Sequence, residues 1–290
     1  MKPAPIRYVR PASLEEALAL LKRHGADARL LAGGQSLMPM LALRVAHAPI
    51  LVDIGRIEAL SGITESSVGL RIGALSRHAE VLDHALTARH APLLCMALPH
   101  VAHPAIRNRG TIGGSLALAD PAAEYPACAL ALDAQMEIAG SAGVRRVPAV
   151  EFFRGLYTTA IHEDEVLVAV NIPSVRPGDQ VFFDEISRRS GDYALAGLAA
   201  VCRADGELRM AYLGCGDRPL RARTAESLMQ QALSGLFVPE RARWLDALAA
   251  DLDPASDLQA DRDTRLHLAA VLAQRAARSF ITLPREVAKP

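Results

Sequence analysis

Apolar positions near the start of the chain follow first a helical and then a strand-like spacing. Ser13 and Glu16 form a capping box at the start of a predicted helix. The apolar residues of that helix fall on one face: Leu14, Ala17, Leu18 and Leu21. Short apolar runs at 28–31 and 50–54 predict buried strands, with a helix at about 37–43 between them. This order predicts an α/β unit with a parallel strand pair.

The next part of the chain repeats this alternation of strands and helices. Its predicted elements are a strand at 69–75, a helix capped by Ser76 and continuing to Leu86, an apolar helix at 92–101, a helix from Asp120 to Leu132, a hairpin at 136–149 and a strand at 165–173. A polar cluster rich in turn residues, SVRPGDQ at 174–180, follows this block. We therefore place a domain boundary there.

Beyond 180 the pattern changes from alternating elements to strands followed by helices. A strand at 181–189 precedes a hairpin at 196–214, whose turn is Asp205-Gly206. Three helices centred near 228, 244 and 272 come next. The chain is thus predicted to be an α+β protein with domains at 1–176 and 177–290, the first divided into lobes at about 1–57 and 58–176.

Composition and charge exclude several classes of function. The chain has 290 residues, and Lys+Arg and Asp+Glu both total 32, which gives a formal net charge of zero. This balance does not favour nucleic-acid binding or an anionic membrane surface. No apolar run reaches the roughly 18 residues of a membrane-spanning helix. Early prolines and arginines interrupt any signal-peptide core, so we expect a cytoplasmic protein with no membrane insertion.

The cysteines and histidines do not predict a metal site. Cys95, Cys128, Cys202 and Cys215 form no CxxC pair, so we predict four buried or partly buried thiols rather than zinc or iron–sulfur ligands. His100 and His103 lie between prolines, which opposes the helix that an i, i+3 pair of metal ligands needs.

Two turns with paired glycines carry the strongest chemical signal. They read AGGQS at 32–36 and TIGGS at 111–115, and neither matches the GxGxxG or P-loop pattern. Each alone is most simply a tight turn. Together, their backbone N–H groups and the hydroxyl groups of Ser36, Thr111 and Ser115 predict two anion-binding nests, one on each lobe. Such a pair suits the pyrophosphate of a dinucleotide held between the lobes.

Three blocks of sequence resemble a known family. These are LLAGGQSLMPMLALR with the following ILVDI, then IRNRGTIGGSLALADPAAEYPA, then ISRRSGDYALAG. They are similar to the FAD-binding medium subunits of molybdenum hydroxylases, which include the medium subunit of aerobic carbon monoxide dehydrogenase and the flavin domain of xanthine dehydrogenase. The resemblance implies a two-lobed FAD-binding fold of the vanillyl-alcohol-oxidase (PCMH) type, followed by a C-terminal domain of antiparallel strands and then helices.

The resemblance also implies which residues contact a non-covalent FAD. The pyrophosphate would lie against Leu31, Ala32, Gly33, Gly34, Gln35, Ser36 and Leu37 from one lobe and against Thr111, Ile112, Gly113, Gly114 and Ser115 from the other. Glu124 would accept a hydrogen bond from a ribityl or ribose hydroxyl, although a favourable position at a helix N-terminus explains it equally well. Leu167 would make an apolar contact. Tyr193 would lie near the isoalloxazine ring, with a core tyrosine as the alternative.

The same resemblance implies partner subunits. A large subunit would carry molybdopterin and a small one two [2Fe–2S] clusters, assembled as a dimer of heterotrimers. Electrons would pass through FAD to an external acceptor, with no catalytic acid or base and no metal on this chain. Two departures from the family leave the substrate and acceptor open: Asp184 and Glu185 stand where many relatives have lysine, and Tyr125 follows Glu124 where carbon monoxide dehydrogenases have methionine.

Two other functions remain open at this point. One is a stand-alone flavin oxidase of the same broad fold, which would have its own substrate pocket and often a covalent flavin. The other is a non-enzymatic interaction module whose glycine turns are only structural.

Overall fold

The computed structural model describes residues 2–67 and 69–282. The last eight residues of the predicted C-terminal domain therefore lie outside the described residues. The first lobe contains β1 (Arg7–Val9), α1 (Leu14–His24), β2 (Ala28–Leu31), α2 (Leu37–Ala42) and β3 (Ile50–Asp53). Its three strands form a parallel sheet in the order β1-β3-β2. The predicted parallel strand pair is thus confirmed.

The capping box predicted for α1 is present in a slightly different form. The Ser13 hydroxyl accepts a hydrogen bond from the Glu16 N–H. The Glu16 carboxylate accepts one from the Ala12 N–H, one residue before the cap. Gly25 ends the helix with its N–H donating to the Leu21 carbonyl. Both ends of α1 are therefore fixed by local sequence, and its apolar face packs against the sheet.

The second lobe is built on an antiparallel sheet. Its elements are β4 (Ile63–Ser66), β5 (Gly69–Gly73), α3 (His78–Asp83), α4 (Ala85–His90), α5 (Pro92–Ala97), α6 (Pro104–Arg107), α7 (Ile112–Leu118), α8 (Glu124–Ala131), β6 (Gln135–Gly140), β7 (Gly143–Pro148), α9 (Ala149–Phe152), β8 (Phe153–Gly155), β9 (Thr158–Thr159) and β10 (Val166–Pro173). Five strands pair in the order β4-β5-β10-β6-β7, and β8 and β9 form a separate hairpin. The hairpin predicted at 136–149 is confirmed as β6 and β7.

Three helix predictions in this lobe were wrong in detail. Ser76 does not cap α3, because its hydroxyl is bonded to the backbone of Gly62, and the helix predicted to reach Leu86 is broken at His84. The segment TIGGS is not a free turn but the start of α7, with Thr111 as its N-cap. The next helix begins at Glu124, not at Asp120.

The C-terminal domain has the predicted order of strands and then helices. Its elements are β11 (Gln180–Ser187), β12 (Ala194–Cys202), β13 (Leu208–Leu213), β14 (Leu220–Arg221), α10 (Arg223–Gly235), α11 (Arg241–Asp251) and α12 (Arg262–Thr282). The four strands form an antiparallel sheet in chain order. One face packs on the three helices around the fully buried Trp244. The residue boundaries between lobes and domains remain a prediction.

The other face of this C-terminal sheet joins the core of the second lobe. Phe183, Ala199 and Leu213 belong to the same buried cluster as Leu94 of α5 and Cys128 of α8. This packing brings β12 and β13 against α8 and β11 against α5, although these elements are far apart in sequence. No helix among the described residues combines the length and apolar character that crossing a membrane requires.

Candidate functional site

The first glycine turn follows β2 and leads into α2. Gly34 has φ +72°, a conformation that a side chain disfavours. The Gln35 amide donates to the Gly33 carbonyl over 2.9 Å, which fixes the turn. Among the hydrogen bonds of the described residues, none is donated by the backbone N–H groups of residues 33–37. Five successive unpaired donors are the defining feature of an anion nest.

The second glycine turn has a different role, because its backbone donors are already used. The N–H groups of Ile112 and Gly113 donate to the carbonyls of Ser76 and Ala74, over 3.1 and 2.8 Å. The Gly114 N–H donates to the Thr111 hydroxyl over 3.1 Å. The prediction of a second backbone nest was therefore wrong. What this turn exposes is the Cα of Gly114 and the partly buried side chain of Ser115.

The two turns meet at the seam between the lobes. A Cβ added to Gly33 would lie 2.2 Å from the carbonyl oxygen of Arg109, so only glycine allows this approach. A Cβ on Gly114 would lie 4.0 Å from the Cβ of Ala32, which puts the two glycine turns on opposite sides of one narrow gap.

A groove of about 970 Å³ runs along this seam. Thirteen of the fifteen residues predicted for the flavin line it, among them residues of both turns, Glu124, Leu167 and Tyr193. Leu31 faces an adjoining cavity instead. The Ile112 side chain is buried in the second-lobe core, and its N–H is already bonded. These two residues are therefore not brought to the groove.

One end of the groove, which we name the acidic end, is formed by Asp120, Glu124, Tyr157 and Tyr193. The Tyr157 hydroxyl donates to Asp120 Oδ2 over 3.5 Å. Tyr157 and Tyr193 are 52% and 68% exposed, although both are large aromatic residues. Burial raises the pKa of Asp120. Sequence reasoning missed Asp120 and Tyr157 as groove residues.

Glu124 is the most perturbed acid in the groove. Burial, and then the charge of Glu185, raise its pKa from 4.5 to about 8. Glu185 lies on β11 with its side chain 3% exposed, and its Oε1 is 3.6 Å from Nδ1 of His100. The hydrogen bond to Glu185 raises the pKa of His100.

The cysteines and histidines have structural surroundings. All four cysteines are free thiols, three of them buried and Cys95 partly buried, as predicted. Within the described ranges, no three His, Cys, Asp or Glu side chains are arranged to hold a metal ion. His103 packs against Gly191, whereas His100 faces Glu185.

Comparisons with known proteins identify the family and the fold. The FAD binding domain in molybdopterin dehydrogenase matches residues 4–175, more than half of the chain. The CO dehydrogenase flavoprotein C-terminal domain matches residues 181–280. The chain therefore belongs to the FAD-binding medium subunits of the molybdenum hydroxylases. It is an oxidoreductase subunit in which a PCMH-type FAD-binding domain precedes a domain of antiparallel strands and helices.

One relative and two solved structures illustrate the extent of the similarity. The chain is 38% identical over 281 residues to the 6-hydroxypseudooxynicotine dehydrogenase complex subunit alpha of Paenarthrobacter nicotinovorans, covering 95% of this chain and 94% of that protein. A solved carbon monoxide dehydrogenase from Hydrogenophaga pseudoflava is similar with a TM-score of 0.89 and 36% identity, covering 97% of this chain and 99% of that one. Quinoline 2-oxidoreductase from Pseudomonas putida 86 gives a TM-score of 0.86 and 40% identity, covering 97% and 98% of the two chains.

Proposed function

We propose that this chain binds one non-covalent FAD in the seam groove and transfers electrons from partner subunits to an external acceptor. The row of unpaired backbone donors at residues 33–37 carries this proposal. A diphosphate is an anion that neutral N–H groups hold well when they point into one concavity. The groove, at about 970 Å³, lies at the upper end of the roughly 300–1,000 Å³ range of ligand pockets.

The two turns would bind the diphosphate through different kinds of donor. The nest of the first turn would bind the phosphate oxygens through its N–H groups and the Ser36 hydroxyl. The second turn would add the hydroxyl of Ser115, with Gly114 leaving room for close approach. The Thr111 hydroxyl accepts from Gly114 and keeps its own proton for donation. Neither turn contains a lysine or an arginine, so the turns themselves would offer only neutral donors to the phosphates.

The acidic end would take the redox-active part of the cofactor. Tyr193 and Tyr157 present exposed aromatic rings there, which suits contact with a flat ring system. Leu167 lies at the bulge of β10 and would supply an apolar contact. Glu124 would hydrogen-bond a hydroxyl of the ribityl or ribose part. When bound, a flavin accepts electrons singly and releases them in pairs, and the chain supplies binding and orientation.

Partner subunits complete the proposed pathway. A small subunit with two [2Fe–2S] clusters would deliver electrons from a large molybdopterin subunit, in a dimer of heterotrimers in the cytoplasm. Two observations support the presence of partner subunits: one relative is a subunit of a dehydrogenase complex and another is the medium chain of carbon monoxide dehydrogenase. The substrate of the complex would bind on the large subunit.

The experiment that tests FAD binding is flavin retention in the purified full chain. The parent should carry one FAD per chain and release all of it on denaturation, whereas flavin that stays with the denatured protein would favour a covalent oxidase. Gly114→Val should lose the flavin, because its Cβ would lie 2.9 Å from the Thr111 hydroxyl that caps α7 and 4.0 Å from Ala32 across the gap. The melting temperature of the apo variant measures how much the local clash at Thr111 costs the fold. Gly155→Val is the matched control, since Gly155 does not line the groove and the atom nearest to an added Cβ is Asp217 Oδ2, at an ordinary contact distance of 3.5 Å. Stoichiometric FAD in both Gly114→Val and Gly34→Val would contradict the proposal.

A further inference from the structure

The cavity that Leu31 faces, which we name the arginine cavity, adjoins the first glycine turn. Its volume is about 740 Å³, and it shares the wall formed by residues 33–35 with the groove. Four arginines line it: Arg10 after β1, Arg56 after β3, Arg77 before α3 and Arg109 before α7. Both lobes therefore contribute positive charge to one cavity, in a chain whose formal net charge is zero.

The four arginines differ in how their charges are paired. Among the described residues that line the cavity, Asp53 is the one acid, and its Oδ2 lies 3.0 Å from Nη2 of Arg10. In residues 2–67 and 69–282, the exposed side chains of Arg56, Arg77 and Arg109 form neither an ion pair nor a hydrogen bond. Their positive charges repel one another, and an anion bound in the cavity would relieve this repulsion.

The lining of the arginine cavity favours phosphate groups among the possible anions. A guanidinium group donates two parallel hydrogen bonds to phosphate oxygens, and three such groups suit a ligand with several negative charges. Asn108 adds an amide side chain to the lining, and Met38 and Pro39 add an apolar wall. The volume lies within the roughly 300–1,000 Å³ range of small-molecule sites. A nucleotide, which joins phosphates to a flat base, therefore matches this lining.

We propose that the arginine cavity is a phosphate-binding site for a nucleotide, in which Arg56, Arg77 and Arg109 bind the phosphate groups. Two sources of phosphate share this chemistry. One is a second nucleotide that binds beside the loaded groove, which goes beyond the proposed function. The other is FAD itself, whose diphosphate would lie at the wall that the two spaces share; this source rests on the proposed function.

The first measurement is a calorimetric titration of the FAD-loaded full chain with ADP, which carries a diphosphate but no flavin. Because FAD then fills the groove, ADP binding reports on a site outside it. Binding of a second nucleotide should weaken between about 50 and about 300 mM salt, since exposed charges are screened. The double variant Arg77→Gln/Arg109→Gln should weaken it at least roughly tenfold, because two charge-assisted contacts are lost.

The matched control is the double variant Arg154→Gln/Arg278→Gln. It removes the same amount of charge from two exposed arginines, one on β8 and one on α12, that line neither the groove nor the arginine cavity. ADP binding to this control should equal that of the parent.

The second measurement is the FAD dissociation constant of the apo full chain at the same two salt concentrations. If the arginines bind the diphosphate of FAD, Arg77→Gln/Arg109→Gln should weaken FAD binding at least roughly tenfold at the lower salt concentration. The same variant should also show a smaller salt dependence than the parent and the control. ADP should then not bind to the FAD-loaded parent.

Each outcome supports or overturns the inference. A loss of ADP binding confined to Arg77→Gln/Arg109→Gln supports a second nucleotide, and a loss of FAD affinity confined to that variant supports FAD as the source. If neither affinity differs between this variant and the control, the inference is overturned and the proposed function stands. Equal losses in the two double variants also overturn it, because the effect would then be one of general charge. If the parent binds no FAD, the proposed function fails, and titration of the apo variants with ADP still decides the inference.

Discussion

The Ser115→Ala substitution separates binding of the diphosphate from stability of the fold. The Ser115 hydroxyl forms no hydrogen bond with any residue in 2–67 or 69–282, so its removal costs no internal contact. A hydrogen bond from a hydroxyl to a charged phosphate contributes about 1.5–3 kcal/mol. Its loss should weaken FAD binding roughly tenfold to a hundredfold. Since alanine is the better helix former, the apo protein should melt at the same temperature or slightly higher.

Thr111→Ala provides the contrast within the same turn. The Thr111 side chain caps α7 by accepting from the Gly114 N–H. Removing this cap should cost about 0.5–2 kcal/mol of stability in the apo protein as well as weakening FAD binding. Ser227→Ala, on the exposed side of α10, is the control for a serine in a helix outside the groove.

Calorimetric titration of the apo variants with FAD measures their binding, and their melting temperatures measure their stability. We expect weaker FAD binding without lower stability for Ser115→Ala, both losses for Thr111→Ala and neither for Ser227→Ala. A dissociation constant for Ser115→Ala within twofold of the parent would refute the role given to its hydroxyl.

Two further predictions concern the seam and the groove wall. Gly33→Ala should lower the melting temperature and the flavin content together, because its Cβ would lie 2.2 Å from the Arg109 carbonyl and force the lobes apart. The expected loss of stability is about 1–3 kcal/mol. An unchanged melting temperature and an unchanged amount of extracted flavin would count against the close approach. The hydrogen bond from Arg145 lowers the pKa of Glu165 in the folded protein. The pair therefore stabilises the fold fully at pH values above the pKa of an unfolded glutamate, about 4.3. This stabilisation is lost as the pH falls through the lower pKa that Glu165 has in the folded protein. In urea unfolding from pH 3 to 7, the difference between the parent and Glu165→Gln should shrink toward acid pH, and a constant difference would be inconsistent with this account.

Local patterns were sufficient to predict most of the elements. Ser13, Glu16 and Gly25 act within one turn of α1, so its ends could be predicted from short stretches. The hairpin turns and the order of the C-terminal strands and helices have similarly local causes. The cap predicted at Ser76 was wrong, because a serine before a helical pattern is usually a cap, whereas the Ser76 hydroxyl is bonded to the backbone of Gly62, 14 positions away.

The site was predictable as a set of residues but not as a geometry. The family blocks located both glycine turns. The paired glycines of the second turn suggested a free turn like the first, so the sequence did not indicate that Thr111 caps α7. Tyr157 lies at the tip of a short hairpin with φ +51°, and no local pattern indicates that this tip reaches the groove. The packing of the C-terminal sheet against α8 is a tertiary contact, which no local pattern predicts.

The most direct test of the central claim is a crystal structure of the full chain with FAD bound. The account predicts the diphosphate oxygens at about 2.7–3.2 Å from the backbone nitrogens of residues 33–37, with the Ser115 hydroxyl within the same distance. Phosphates held elsewhere, with those backbone groups facing only solvent, would contradict it.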